Sequence, residues 1–157
     1  LISTLTLTSL HAQKFGFIDS QELLLLMPER KIAETEVQEF AKSLESQLAA
    51  MTSEYQQSVE NYQANESTYT DLVKQDKIAE ITGLEQRIQS FQQNAQQALQ
   101  SKEQELLEPI LQKARNAINE VAEEGKYTYI FDKSMGTLLY AEDSENIISK
   151  VKNKLGL

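Results

Sequence analysis

The feature that most constrains this chain is an apolar stripe that runs from Ala33 to Tyr62 without a glycine or proline. Ala33, Val37, Phe40, Leu44, Leu48, Met51, Tyr55, Val59 and Tyr62 step by 4, 3, 4, 4, 3, 4, 4 and 3 residues. That is an eleven-residue repeat, near the period of an α-helix, so the stripe stays on one face of a nearly straight helix. Starting at Glu29, such a helix is a rod of roughly 50–55 Å at about 1.5 Å per residue. A rod of that length exceeds the width of a small domain and must project.

A second stripe returns. Ile81, Leu84, Ile88, Phe91, Ala95, Ala98 and Lys102 step by 3 and 4 in alternation, as a heptad does. Its middle is thin and glutamine-rich, and it recovers at Leu106, Ile110, Ala114, Ala117 and Val121. Asn65-Glu66-Ser67-Thr68-Tyr69-Thr70 is polar, and Thr70 or Asp71 can cap a new helix, so the hairpin tip is placed near 65–71. Pro109 lacks an N–H and should kink the returning helix near Glu105–Glu108, making it a candidate arm hinge. Gly125 is a natural C-cap.

The flanks are short. Lys14-Phe15-Gly16-Phe17-Ile18-Asp19 fits a buried strand, and Asp19 or Ser20 can cap a short helix through Leu23, Leu24 and Met27 that stops at Pro28. Tyr127–Asp132 and Thr137–Ala141 read as two strands joined by a turn at Lys133-Ser134-Met135-Gly136. Asp143 or Ser144 then caps a final helix carrying Ile147, Ile148, Val151 and Leu155, closed by Gly156. The fold class is mainly α with a small β part: a long antiparallel helical hairpin, residues 29–124, projecting from a β body formed by 13–28 and 125–157. Three short strands and two short helices make a marginal core, so oligomerisation is the economical way to complete the body. Phe15, Phe17, Ile130, Phe131, Leu138 and Leu139 are the candidates for packing across subunits.

Residues 1–12 are mildly apolar and uncharged, ending His11-Ala12 before Gln13. They read as the remnant of a secretory signal peptide cut after Ala12. No other stretch approaches the ~20 apolar residues needed to span a bilayer, so no stable membrane insertion is expected.

Little catalytic chemistry is available. There is no cysteine, and the single histidine, His11, falls in the expected signal. Triads, zinc sites and thiol chemistry are excluded on those grounds. The five glycines are scattered, so no phosphate-cradling loop exists. Glu103/Glu105 and Glu123/Glu124 sit in helical pattern as solvated faces rather than acid–base pairs. No catalytic, metal or cofactor residue is assigned. A net charge of −9 without a basic stripe argues against nucleic acid. Tyr55, Tyr62 and Tyr69 recur every seven residues, which suits either a seam within the hairpin or a client-facing ladder. Asn65-Glu66-Ser67 also matches a glycosylation triplet, a pattern that arises often by chance.

From Lys14 to Leu157 this order of elements resembles the Skp (OmpH) family of periplasmic chaperones. The resemblance is carried by the opening Lys14-Phe15-Gly16-Phe17-Ile18-Asp19, the closing Tyr127–Asp132 with Leu138-Leu139-Tyr140-Ala141, and Leu106-Leu107-Glu108-Pro109-Ile110. It implies a homotrimer with a shared β body, whose helical arms enclose a cavity that holds unfolded outer-membrane β-barrel proteins without ATP. It also implies that the chain is not an enzyme and needs no cofactor. Well-known members are basic and attract acidic clients and lipopolysaccharide; this chain is acidic, so neither property is carried over. The competing expectation is a structural or adaptor hairpin that docks on a folded envelope partner.

Overall fold

The computed structural model describes residues 13–157. The elements are β1 (Phe15–Ile18), α1 (Ser20–Leu26), α2 (Pro28–Asn65), α3 (Asp71–Glu124), β2 (Tyr129–Asp132) and α4 (Ile148–Leu155). Single 3₁₀ turns occupy Glu66–Thr68, Lys133–Met135 and Asp143–Glu145. The secretory-signal expectation falls on residues 1–12, outside the described residues.

α2 forms because no glycine or interior proline opposes it. Pro28 stands at the first position of α2, where its missing N–H would have had no partner. Every position of both apolar stripes is buried or half-buried, while the residues between them are mostly exposed. The chain reverses through Glu66–Thr70, with the Thr70 hydroxyl accepting from the Val73 N–H at 3.4 Å. A compact unit, Lys31–Glu108, contains this hairpin. Within it Leu84 is fully buried, Arg87 pairs with Glu54 at 3.6 Å, and the Tyr62 and Tyr69 rings lie 6.3 Å apart. α3 runs through both Gly83 and Pro109 without a break. At Pro109 the carbonyl of Glu105 simply lacks its usual donor.

The other compact unit joins the described part of Leu1–Arg30 to Pro109–Leu157. Its core is Phe17, Ile18, Leu23, Met27, Ile110, Ala114, Ala117, Val121, Ile147 and Val151. β1 and β2 pair in parallel, Phe15 opposite Tyr129 and Phe17 opposite Phe131. Asn146 bridges to Phe17 on the other side of β1, and the Ile147 N–H donates to the Phe17 carbonyl at 2.9 Å.

The β-hairpin expected between Tyr127–Asp132 and Thr137–Ala141 is not present. The second segment carries no strand; Leu139 and Tyr140 are 95% and 82% exposed. A strand needs a neighbour for its N–H and C=O groups, and one chain supplies none there. Instead, the 3₁₀ turn after β2 ends at Gly136 with φ 67°, a left-handed conformation that redirects the chain. The expected cap of α4 also shifts: Asp143–Glu145 forms its own turn, and the Asn146 carboxamide oxygen accepts from the Ile148 N–H.

The end of α3 corrects a third expectation. The left-handed residue is Lys126, φ 52°, not Gly125. The Tyr127 N–H reaches the Ala122 carbonyl and the Lys126 N–H reaches Glu123, a Schellman arrangement. Gly125 is required for another reason. A Cβ there would sit 2.4 Å from the Tyr127 ring and 3.0 Å from the Val121 carbonyl oxygen. Gly16 meets the same ring, with a notional Cβ at 2.9 Å. Tyr127 thus closes over two glycines, while Lys150 donates to its hydroxyl at 2.7 Å and Lys14 lies 4.2 Å from its ring centroid. Gly125→Ala is expected to destabilise the unit by about 1–3 kcal/mol through the steric conflict. Lys126→Gly should stabilise it by about 0.5–1 kcal/mol by relieving the left-handed strain. Urea titrations of the two variants check the opposite signs.

Candidate oligomerisation and binding surface

Alternation along the two strands divides their side chains. Phe15, Phe17, Tyr129 and Phe131 point one way; Gly16, Ile18, Ile130 and Asp132 point the other. Phe15, Tyr129 and Phe131 form an exposed aromatic cluster. Phe15 and Tyr129 stack at 5.9 Å with an interplanar angle of 10°, and Phe131 lies 6.2 Å from Phe15 and 6.4 Å from Tyr129. Their exposures are 43%, 57% and 46%. Three aromatic rings gathered at that exposure make this face a candidate contact surface.

β2 is the outer strand of the two-stranded sheet. Beside it runs a cleft of about 290 Å³ lined by Ile18, Ile118, Ala122, Ile130 and Phe131 among others. The same cleft is also lined by Ser20, Asn119, Thr128 and Asp132, and an unpaired strand edge is in general a template for another strand.

Asp132 fixes the end of β2. Its carboxylate accepts from the Ser20 hydroxyl at 2.5 Å, the Ser20 N–H at 3.2 Å and the Ser134 N–H at 3.0 Å. Burial alone would raise its pKa, but hydrogen bonds from Ser20 and Ser134 outweigh it and hold the carboxyl below its ordinary value. A depressed folded-state pKa contributes stability that is complete above the unfolded value, about 3.9. That stability is lost as pH falls through the lower folded value. Asp132→Asn is expected to cost about 1–3 kcal/mol at neutral pH. The wild type should lose more stability than the variant between about pH 6 and pH 3; paired urea titrations at the two pH values check it.

The sequence-selected body residues separate into three groups. Phe15, Phe131 and Leu139 are exposed, while Ile130 and Leu138 are half-buried. Phe17, at 4% exposure, belongs to the chain's own core and offers no surface to a neighbour. Tyr129, Met135 and Tyr140 are exposed as well and were not singled out from the sequence. Tyr129 could have been, since it alternates with Phe131. Tyr55, Tyr62 and Tyr69 are half-buried. Pro109 is exposed within α3. Among the described residues no group of three or more His, Cys, Asp or Glu could hold a metal ion, and no helix is long and apolar enough to cross a membrane.

Comparison with known proteins supplies what geometry alone does not. The family of outer membrane proteins described as OmpH-like matches residues 14–155. A Vibrio cholerae protein named chaperone protein Skp is 24% identical over 144 residues, spanning 89% of this chain and 82% of that protein. The fold matches that of an OmpH-like protein from Caulobacter crescentus CB15 with a TM-score of 0.80 at 14% identity, covering 98% of this chain and 90% of that one. The chain therefore belongs to the Skp/OmpH family, whose named members are chaperones and not enzymes.

Proposed function

We propose that this chain is an ATP-independent holdase of the periplasm that binds unfolded outer-membrane proteins and prevents their aggregation. The observation that carries the reading is the likeness to a named chaperone along 89% of the chain. The surface is compatible with it: Ile32 near the start of α2, and Leu72, Val73 and Ile78 in the first turns of α3, are exposed apolar groups. Diffuse, weak apolar contacts hold an unfolded chain without competing with its folding.

The working form is a homotrimer. The Phe15–Tyr129–Phe131 cluster, the outer edge of β2 and the exposed Leu139 and Tyr140 are the surfaces that neighbouring copies cover. Thr137–Ala141 becomes a strand only there, against a neighbouring copy's edge. In this reading Pro109 is the point at which the arm flexes to suit clients of different size.

The test is gel filtration with mass detection after mixing the chain with a urea-unfolded outer-membrane β-barrel protein, and separately with the same protein already folded in detergent. Co-elution with the unfolded form alone is expected. Co-elution with the folded form alone would replace the holdase with an adaptor that docks on a finished partner.

A further inference from the structure

The negative charge of this chain is not spread over it. The compact unit Lys31–Glu108 holds six Lys and Arg against fourteen Asp and Glu, a net of −8. The remainder of the chain holds nine against ten, a net of −1. All fourteen carboxylates of the hairpin unit are exposed. Three of its six cations, Lys74, Lys77 and Lys102, are half-buried. They continue the apolar seam: Lys74 and Lys77 precede Ile81 and Leu84 at steps of 3, 4 and 3, and Lys102 follows Ala98. A lysine there lays its stem along apolar surface and keeps its ammonium in water. Lys77, Lys102 and Arg87 are further engaged with Glu80, Glu105 and Glu54. Each of these pairs is neutral, so an excess of eight carboxylates remains on the surface of the hairpin unit, and Ile32, Leu72, Val73 and Ile78 are exposed on the same unit.

We propose that the hairpin selects unfolded polypeptides with an excess of Lys and Arg, its carboxylates drawing in the cationic side chains while the exposed aliphatic groups take the apolar ones. The selection rests on the holdase reading and specifies its client class. The attraction is long-ranged at low salt and is cut off beyond about 8 Å at physiological ionic strength.

The test uses two unfolded probes of similar length and opposite net charge, reduced lysozyme (basic) and reduced α-lactalbumin (acidic), with binding read by fluorescence anisotropy. At about 50 mM NaCl the basic probe is expected to bind at least ~10-fold tighter, and by about 500 mM the two should converge. A chain carrying Glu39→Gln, Glu45→Gln, Glu60→Gln and Glu85→Gln, all at exposed positions, should narrow the gap severalfold without changing binding at high salt. Equal affinity at low salt, or preference for the acidic probe, overturns the charge selection and leaves the holdase standing. Binding of neither probe at either salt overturns the holdase reading and the selection with it.

Discussion

Leu23→Ala is expected to cost the body unit about 2–5 kcal/mol. Leu23 is 0% exposed, as are Ile147 and Val151, and Met27 is 2% exposed. Few residues share this core, so the cavity left by truncation has little freedom to collapse. A domain's whole stability is about 5–15 kcal/mol, so the variant should retain its long helices while losing cooperative unfolding of the body. Leu25, two residues on, is 67% exposed, and Leu25→Ala should lie within about 0.5 kcal/mol of wild type. Hydrogen exchange of the β1 and β2 amides in urea separates the two. Equal protection in both variants would contradict the core described above.

The second large effect concerns assembly. Replacing Phe15 and Phe131 together with Asp is expected to convert a trimer into monomers in sedimentation at micromolar concentration. The two rings are 43% and 46% exposed on the single chain, so the substitution leaves the monomer's own core intact. In a closed trimer the same positions would bury carboxylates without partners, at several kcal/mol each. A wild-type chain that sediments as a monomer would overturn the trimer outright. A double variant that remains trimeric would move the interface elsewhere.

Much of this was legible in the residues. The stripe from Ala33 to Tyr62 is half-buried or buried at each position, and the return stripe from Ile81 to Val121 likewise. Local periodicity suffices there because a long helix makes its hydrogen bonds within itself. Asp19 caps α1 as its side-chain chemistry suggests, its carboxylate accepting from the Glu22 N–H at 3.0 Å. What escaped is non-local. The parallel pairing of Phe15–Ile18 with Tyr129–Asp132 joins segments more than a hundred residues apart, which no short-range pattern encodes. Thr137–Ala141 has the composition of a strand but lacks a partner in one copy, so composition alone was a poor guide. Tyr127 was read as one more strand residue; its ring instead requires glycine at both 16 and 125, a steric relation visible only once the segments meet. The candidate surface was half legible for the same reason. Aromatic residues in both strands marked it, but Phe17 is buried and Tyr129 exposed on the same face, a difference that arises only where Asn146 meets β1 at Phe17.

The most direct measurement is light scattering as a urea-unfolded outer-membrane β-barrel protein is diluted into ATP-free buffer with and without this chain. Suppression of scattering near one trimer per client is the result the holdase account predicts. Unchanged scattering across several clients of different net charge, at low and high salt, would contradict it.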